Sequence, residues 1–244
     1  MNKNKKIIAI VEARMNSSRL PGKHLLQASN IPMIGHLIMR LKTVKLVDEI
    51  VIAMTTLKTD DSLEKYVKTQ GVKIYRGDEN DVMGRVLKAS IKYNADIICE
   101  VTGDCPIIDP FLVEHAINTF LFNNISYLNN ARHGLPDGMG CQVFTTEALA
   151  KSYDLTSDSK DREHVTLHFK RNPKIFPTIY LPALKEYYWP ELRVTLDDED
   201  DYKVIKTIIK FFYKKNILFN CTDIINLIKS KPELFKMNFE NIPK

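Results

Sequence analysis

The sequence predicts an α/β fold: a mostly parallel, twisted sheet with helices on both faces. Three observations predict it. Ile7–Val11 is a continuous, largely β-branched apolar run, as a strand buried on both faces would be. Strand-like and helix-like segments then alternate four times in about 120 residues, the order that builds a parallel sheet. Hydrophobic residues make up 44% of the 244-residue chain, enough for a real core.

The opening run leads into "VEARMNSSRLPGKHL" (11–25), a compact basic loop. Met33, Ile34, Leu37, Ile38 and Leu41 then recur at helical spacing. "EIVIAMT" (49–55) reads as the second strand, and "DDSLEKYVKTQG" (60–71) as a helix that starts on acids and stops at Gly71. "VKIYRG" (72–77) and "NDVMGRVLKASIKY" (80–93) form the third strand and helix. "DIICEVTGD" (96–104) is the fourth strand, and Asp109-Pro110 opens the helix after it. The pattern changes near Ser126. Glycines and prolines in 134–144, and aromatic and β-branched residues in 174–196, predict hairpins and a helix over 126–190. That excursion is expected as an inserted subdomain, a lid or a dimer contact. "LRVTLDDEDD" (192–201) predicts a returning strand that ends in acids, followed by an amphipathic helix and a closing helix. With no repeats or linkers, 1–244 reads as one domain.

Charge and cysteines narrow the class. A net charge of +5 with acids and bases mixed gives no basic face for nucleic acid. Cys99, Cys105, Cys141 and Cys221 show no metal-finger spacing and read as reduced thiols of a cytoplasmic protein. The first apolar run stops at Glu12, too short for a signal segment, and no 18-residue apolar stretch follows. No membrane partner is expected.

Sites in parallel sheets lie beyond the carboxyl ends of the strands. Arg14, Arg19 and Lys23 of the first loop, Arg76 after the third strand and Asp104 after the fourth all map to that edge. A loop between strand and helix can aim N–H groups at an anion, and arginine suits bidentate phosphate contacts. It is not a Walker A loop, because Ser17 and His24 stand where glycine and Ser/Thr are required. Asp104 and the acids of "LDDEDD" (196–201) suggest Mg²⁺ bridging phosphate oxygens. Turn chemistry competes for Asp104, and helix capping competes for Asp198–Asp201, which leaves Asp197 as the best metal ligand. Arg76 is positioned to contact a nucleotide, whereas Arg85 reads as a structural ion-pair partner. "DREHVT" (161–166) reads equally as a surface helix or as part of a site. His164 has no recognisable nucleophile beside it.

Six segments, "ARMNSSRLPGK" (13–23), "RGDENDV" (76–82), "VTGDCPIIDP" (101–110), "PDGMGCQVF" (136–144), "REHVT" (162–166) and "LRVTLDDEDD" (192–201), occur in an order that resembles the acylneuraminate and Kdo type cytidylyltransferases, above all the spore coat polysaccharide biosynthesis branch. The resemblance covers most of residues 6–205. It implies a nucleotide-diphospho-sugar transferase type fold, a homodimer, and transfer of CMP from CTP to an acceptor with release of pyrophosphate. By the same resemblance, Arg14 and Lys23 hold the triphosphate with Arg19 nearby, and Arg76 helps read cytidine. Asp104 and Asp197 ligate Mg²⁺, while Pro136–Gly140, including Asp137, and Arg162, Glu163 and His164 face the acceptor. The loop ending and final acidic motif differ from those of the sialate members. The acceptor is expected to be a sugar acid or related glycan precursor, for surface polysaccharide. A phosphate or phosphonate acceptor, a glycosyltransferase of similar topology and a silent nucleotide-binding protein stay open at this point.

Overall fold

The computed structural model describes residues 5–234. The parallel half of the sheet is β1 (Ile7–Glu12), β4 (Glu49–Thr55), β5 (Lys73–Gly77) and β6 (Ile97–Thr102), with β1 paired to both β4 and β6. A small antiparallel hairpin, β2 (Gln27–Ala28) with β3 (Ile31–Pro32), stands apart from it. Three further strands, β7 (Tyr127–Asn129), β8 (Gln142–Thr145) and β9 (Thr178–Tyr180), complete a seven-stranded sheet of order β5-β4-β1-β6-β8-β7-β9.

The region 126–190 continues that same sheet. Its strands extend the main sheet, β8 antiparallel to β6 and β7, and β9 parallel to β7. One correction concerns 192–196, which forms no sheet strand. This extended segment is held by one bridge, Arg193 with Asp137, and by Leu196 N–H donating to the Asp104 carbonyl at 2.8 Å. The amphipathic helix after it is observed as expected. The closing helix ends at Ser230; the rest of the expected closing segment from 235, like residues 1–4, lies outside the described residues.

Alternation along β1 explains the layers. Ile7, Ala9 and Val11 face a core formed with α1 (Met33–Leu41), α2 (Asp61–Thr69) and α4 (Pro110–Leu121). Ile8 and Ile10 face the opposite core, with α3 (Val82–Lys92), α5 (Thr146–Leu155) and α7 (Leu167–Arg171). The short α6 (Ser159–Glu163) lies between α5 and α7 in the chain. A third core joins α8 (Glu199–Phe212) and α9 (Cys221–Ser230) to Leu192, Val194 and Leu196.

Arg40 of α1 ties the last helices to the sheet domain. Its buried guanidinium donates to the carbonyls of Ile108 (3.3 Å), Phe219 (2.8 Å) and Ile217 (3.2 Å), and lies 4.0 Å from the Phe219 ring centroid. Burial pushes it down to about 10.

Candidate active site

The basic loop does not run straight into a helix, as its position after a strand suggests. It closes on itself: Met15 C=O accepts from Ser17 and Gly22 N–H, each at 3.0 Å. Gly22 (φ 72°) then turns the chain into a short 3-10 turn, Lys23–Leu25. α1 begins only after the β2–β3 hairpin. Anion binding here therefore rests on side chains and loop amides rather than on a helix N-terminus.

Lys23 is nearly buried, and its Nζ stands 3.1 Å from Asp197 Oδ1 and 3.7 Å from Asp104 Oδ2. Arg19 Nη2 approaches the same Asp197 oxygen at 3.3 Å. Residues 174 positions apart thus meet at one ammonium. Burial alone would raise the Asp197 carboxyl, but Lys23 and Arg19 outweigh it and hold it below the usual carboxylate range. Two of the remaining acids of that motif are committed elsewhere. Asp198 and Asp201 form a capping box at the start of α8, and Asp201 also accepts from Arg193 at 2.6 Å. Burial and Lys23 push the His24 imidazole down to about 4, so it adds no charge beside Lys23.

Two cavities meet at these carboxylates. The first, of about 350 Å³, is lined by Arg14, Ser17, Ser18, Arg19 and Lys23 of the loop, together with Glu12, Val82, Arg85 and Glu163. The second, of about 770 Å³, is lined by Glu100, Arg132, Asp137, Gln142, Lys170 and Tyr180, among others. Arg19, Thr102, Asp104, His164 and Asp197 line both. One cavity is rich in cations suited to a polyanion. The other offers mixed donors and acceptors suited to a hydroxylated molecule. Their shared wall carries the two aspartates.

Two expected site residues lie elsewhere. Arg76 lines neither cavity. Its Nη1 pairs with Asp61 (2.7 Å) and Glu64 (2.6 Å), while Nε and Nη2 donate to the Thr55 and Leu57 carbonyls. Arg162 stacks 3.3 Å over the Tyr153 ring and donates to the Tyr153 and Thr156 carbonyls. Local acceptors hold both guanidinium groups away from the cavities, although Arg162 Nη1 makes no hydrogen bond and has Asp81 only at 3.9 Å. Arg85 shows the reverse: read as structural, it lines the first cavity from α3. Asp137 lines the second cavity and pairs with Arg132 at 3.0 Å.

The sequence reading missed the pair Glu12–Glu100. Parallel register sets Glu12 beside Thr102 and Glu100 beside Ile10, so the two carboxyls approach along β1 and β6. Their odd places in apolar strands were the available signal. Desolvation, then the charge of Glu100, raises Glu12 well above its usual range; Arg85 opposes this. Desolvation raises Glu100 to about 7 against the pull of Lys170. Both acids hold protons more tightly folded than unfolded. The pair's contribution to stability is therefore greatest below the ordinary value near 4.5 and falls as pH rises toward and past 7. Glu100→Gln removes the second charge. It should leave Tm at pH 5 nearly unchanged and raise Tm at pH 8 by roughly 5 °C over the parent. Parallel Tm–pH curves would contradict this account of the pair.

The profile of the cytidylyltransferase family matches residues 8–222. The chain belongs to the cytidylyltransferase family. A cytidylyltransferase from Leptospira borgpetersenii serovar Hardjo-bovis is 32% identical and superposes with a TM-score of 0.90, covering 98% of this chain and 99% of that one. The spore coat polysaccharide biosynthesis protein SpsF of Bacillus subtilis is 28% identical over 93% of this chain and 95% of its own. A 3-deoxy-manno-octulosonate cytidylyltransferase from Geobacter sulfurreducens is 34% identical over 46% of this chain and 44% of its own. This cytidylyltransferase is thus a nucleotidyltransferase that uses CTP, on the fold expected from its sequence. Among the described residues, no helix is long and apolar enough to cross a membrane.

Proposed function

We propose that the chain transfers the cytidylyl group of CTP to a hydroxyl of a sugar acid, releasing pyrophosphate and giving a CMP-linked donor for surface polysaccharide. The observation that carries this reading is the meeting of a cationic cavity and a larger polar cavity at Asp104 and Asp197. Arg14, Arg19 and Lys23 would bind the triphosphate, with the α-phosphate at the shared wall. Arg132 and Lys170 supply what the sequence reading lacked, a place for an acceptor carboxylate. Burial and the charge of Arg132 both lower Lys170, although Glu100 opposes them. Two cations that repel across one cavity are stabilised by an anion between them. The likeness to a 3-deoxy-manno-octulosonate cytidylyltransferase supports a sugar acid, and the likeness to SpsF supports the polysaccharide role.

Asp104 and Asp197 suit Mg²⁺, which takes one or two carboxylates and completes its shell with phosphate oxygens and water. Among the described residues no cluster of three or more His, Cys, Asp or Glu side chains is placed to hold a metal ion. When bound, the ion would neutralise charge on the phosphates. Lys23 holds the two aspartates together beforehand, so the protein's own contribution is chiefly positioning and electrostatic preorganisation.

The test is incubation with CTP, Mg²⁺ and a panel of sugar acids and phosphorylated sugars, read by pyrophosphate release and product mass. A CMP adduct on at least one sugar acid is expected. Adducts confined to phosphorylated acceptors would contradict the sugar-acid assignment.

A further inference from the structure

Asp60 lines neither cavity, yet the shape of the nucleotide-binding loop depends on it. It sits at 0% exposure at the end of a 3-10 turn, Lys58–Asp60, just after β4. Its carboxylate accepts three hydrogen bonds. Oδ2 takes the Thr55 N–H at 2.8 Å and the Thr55 hydroxyl at 2.6 Å, so it is fixed to the end of the sheet. Oδ1 takes the N–H of Met15 at 2.7 Å, from a residue 45 positions earlier in the basic loop.

Met15 is the closing residue of that loop. Its carbonyl receives Gly22 N–H, and Gly22 delivers the chain to Lys23. A continuous path therefore runs from the rigid strand end through Asp60, Met15 and Gly22 to the ammonium between Asp104 and Asp197. Arg14 immediately precedes the tethered amide. A buried carboxylate is costly unless its hydrogen bonds are made. Two of the three bonds come from the strand end, on Oδ2, and the loop supplies the one on Oδ1, so the two segments cannot separate without leaving that oxygen unpaired.

We infer that Asp60 is the positioning residue that presets the cationic loop for CTP, acting through the Met15 amide. The inference rests on the cytidylyl-transfer reading, and the loop geometry stands apart from it. Asp60→Asn keeps the size and places a donor against at least one of the three donors. It should raise the KM for CTP about tenfold with a smaller change in kcat, the effect of one lost buried hydrogen bond. It should also speed amide hydrogen exchange in peptides over 13–23. Thr55→Val removes the hydroxyl that donates to Asp60 and accepts Leu57 N–H at 3.3 Å, and leaves the Met15 bond in place. It should lower Tm while leaving the CTP KM within about twofold and exchange over 13–23 at the parent rate.

Equal effects of the two variants on KM, or an Asp60→Asn effect confined to Tm, would overturn the assignment. In the nucleotide-free parent, the Met15 amide must exchange more slowly than the neighbouring loop amides; exchange at open-loop rates would overturn it even if Asp60→Asn fails to fold. Should the parent not bind CTP, the functional reading fails, while the exchange comparison still decides whether Asp60 anchors the loop.

Discussion

Asparagine in place of Asp104 will leave the chain folded and lower cytidylyl transfer by about a thousandfold or more. The fold survives because the structural work at this position belongs to the backbone: the Asp104 carbonyl receives Leu196 N–H and docks the 192–196 segment on the end of β6. The side chain is half-buried, facing both cavities, with Lys23 at 3.7 Å and the Cys105 thiol donating at 3.6 Å. An amide of the same shape keeps the packing but loses the charge that would meet a cation, and it presents a donor to Lys23. Turnover measured beside Tm checks this. Transfer within tenfold of the parent would remove Asp104 from the reaction.

Arg40→Ala is the variant expected to cost most in stability, about 3–5 kcal/mol, with Arg40→Met costing distinctly less. Alanine leaves the carbonyls of Ile108, Ile217 and Phe219 buried without their donor and opens a void against the Phe219 ring. Methionine fails the same carbonyls but fills the space. The three carbonyls come from the loops before α4 and α9, so the loss should fall on the seam that holds α8 and α9. Urea midpoints of the three proteins test it. An alanine variant within 1 kcal/mol of the parent would show that this seam does not depend on Arg40.

Much of the fold was legible because the chain obeys local rules. β4 falls on "EIVIAMT" itself, and Gly71 lies just beyond the α2 C-terminus, as its left-handed backbone allows. The parallel half depends on periodicity and punctuation, which a sequence displays. The region from 126 was harder, because β7, β8 and β9 are three or four residues each and owe their existence to pairing with a sheet built by other segments. For the same reason 192–196 resembled a strand: its alternation buries Leu192, Val194 and Leu196 in a helix-lined core without a ladder.

At the site, the residues marked by local chemistry came together: Lys23 and Arg19 in a basic loop, Asp104 at a strand tip, Asp197 before a capped helix. Arg76 and Arg85 show the limit of that approach. Nothing in "YRGDENDVMGR" (75–85) says which arginine finds Asp61 and Glu64 and which turns to the cavity, since the partners lie on another helix. Lys170 and Arg132 carry no motif at all, and only the folded cavity brings them to one side.

The central claim, that an early lysine and distant aspartates hold one metal–triphosphate between them, meets its most direct test in a double-mutant cycle on Lys23→Met and Asp104→Asn, read as kcat/KM for CTP. Side chains acting on one bound group are predicted to be strongly non-additive, the double variant little worse than the poorer single, with a coupling of at least about 1.5 kcal/mol. Fully additive losses would mean that the two groups act on separate events, and the account of the site would be wrong.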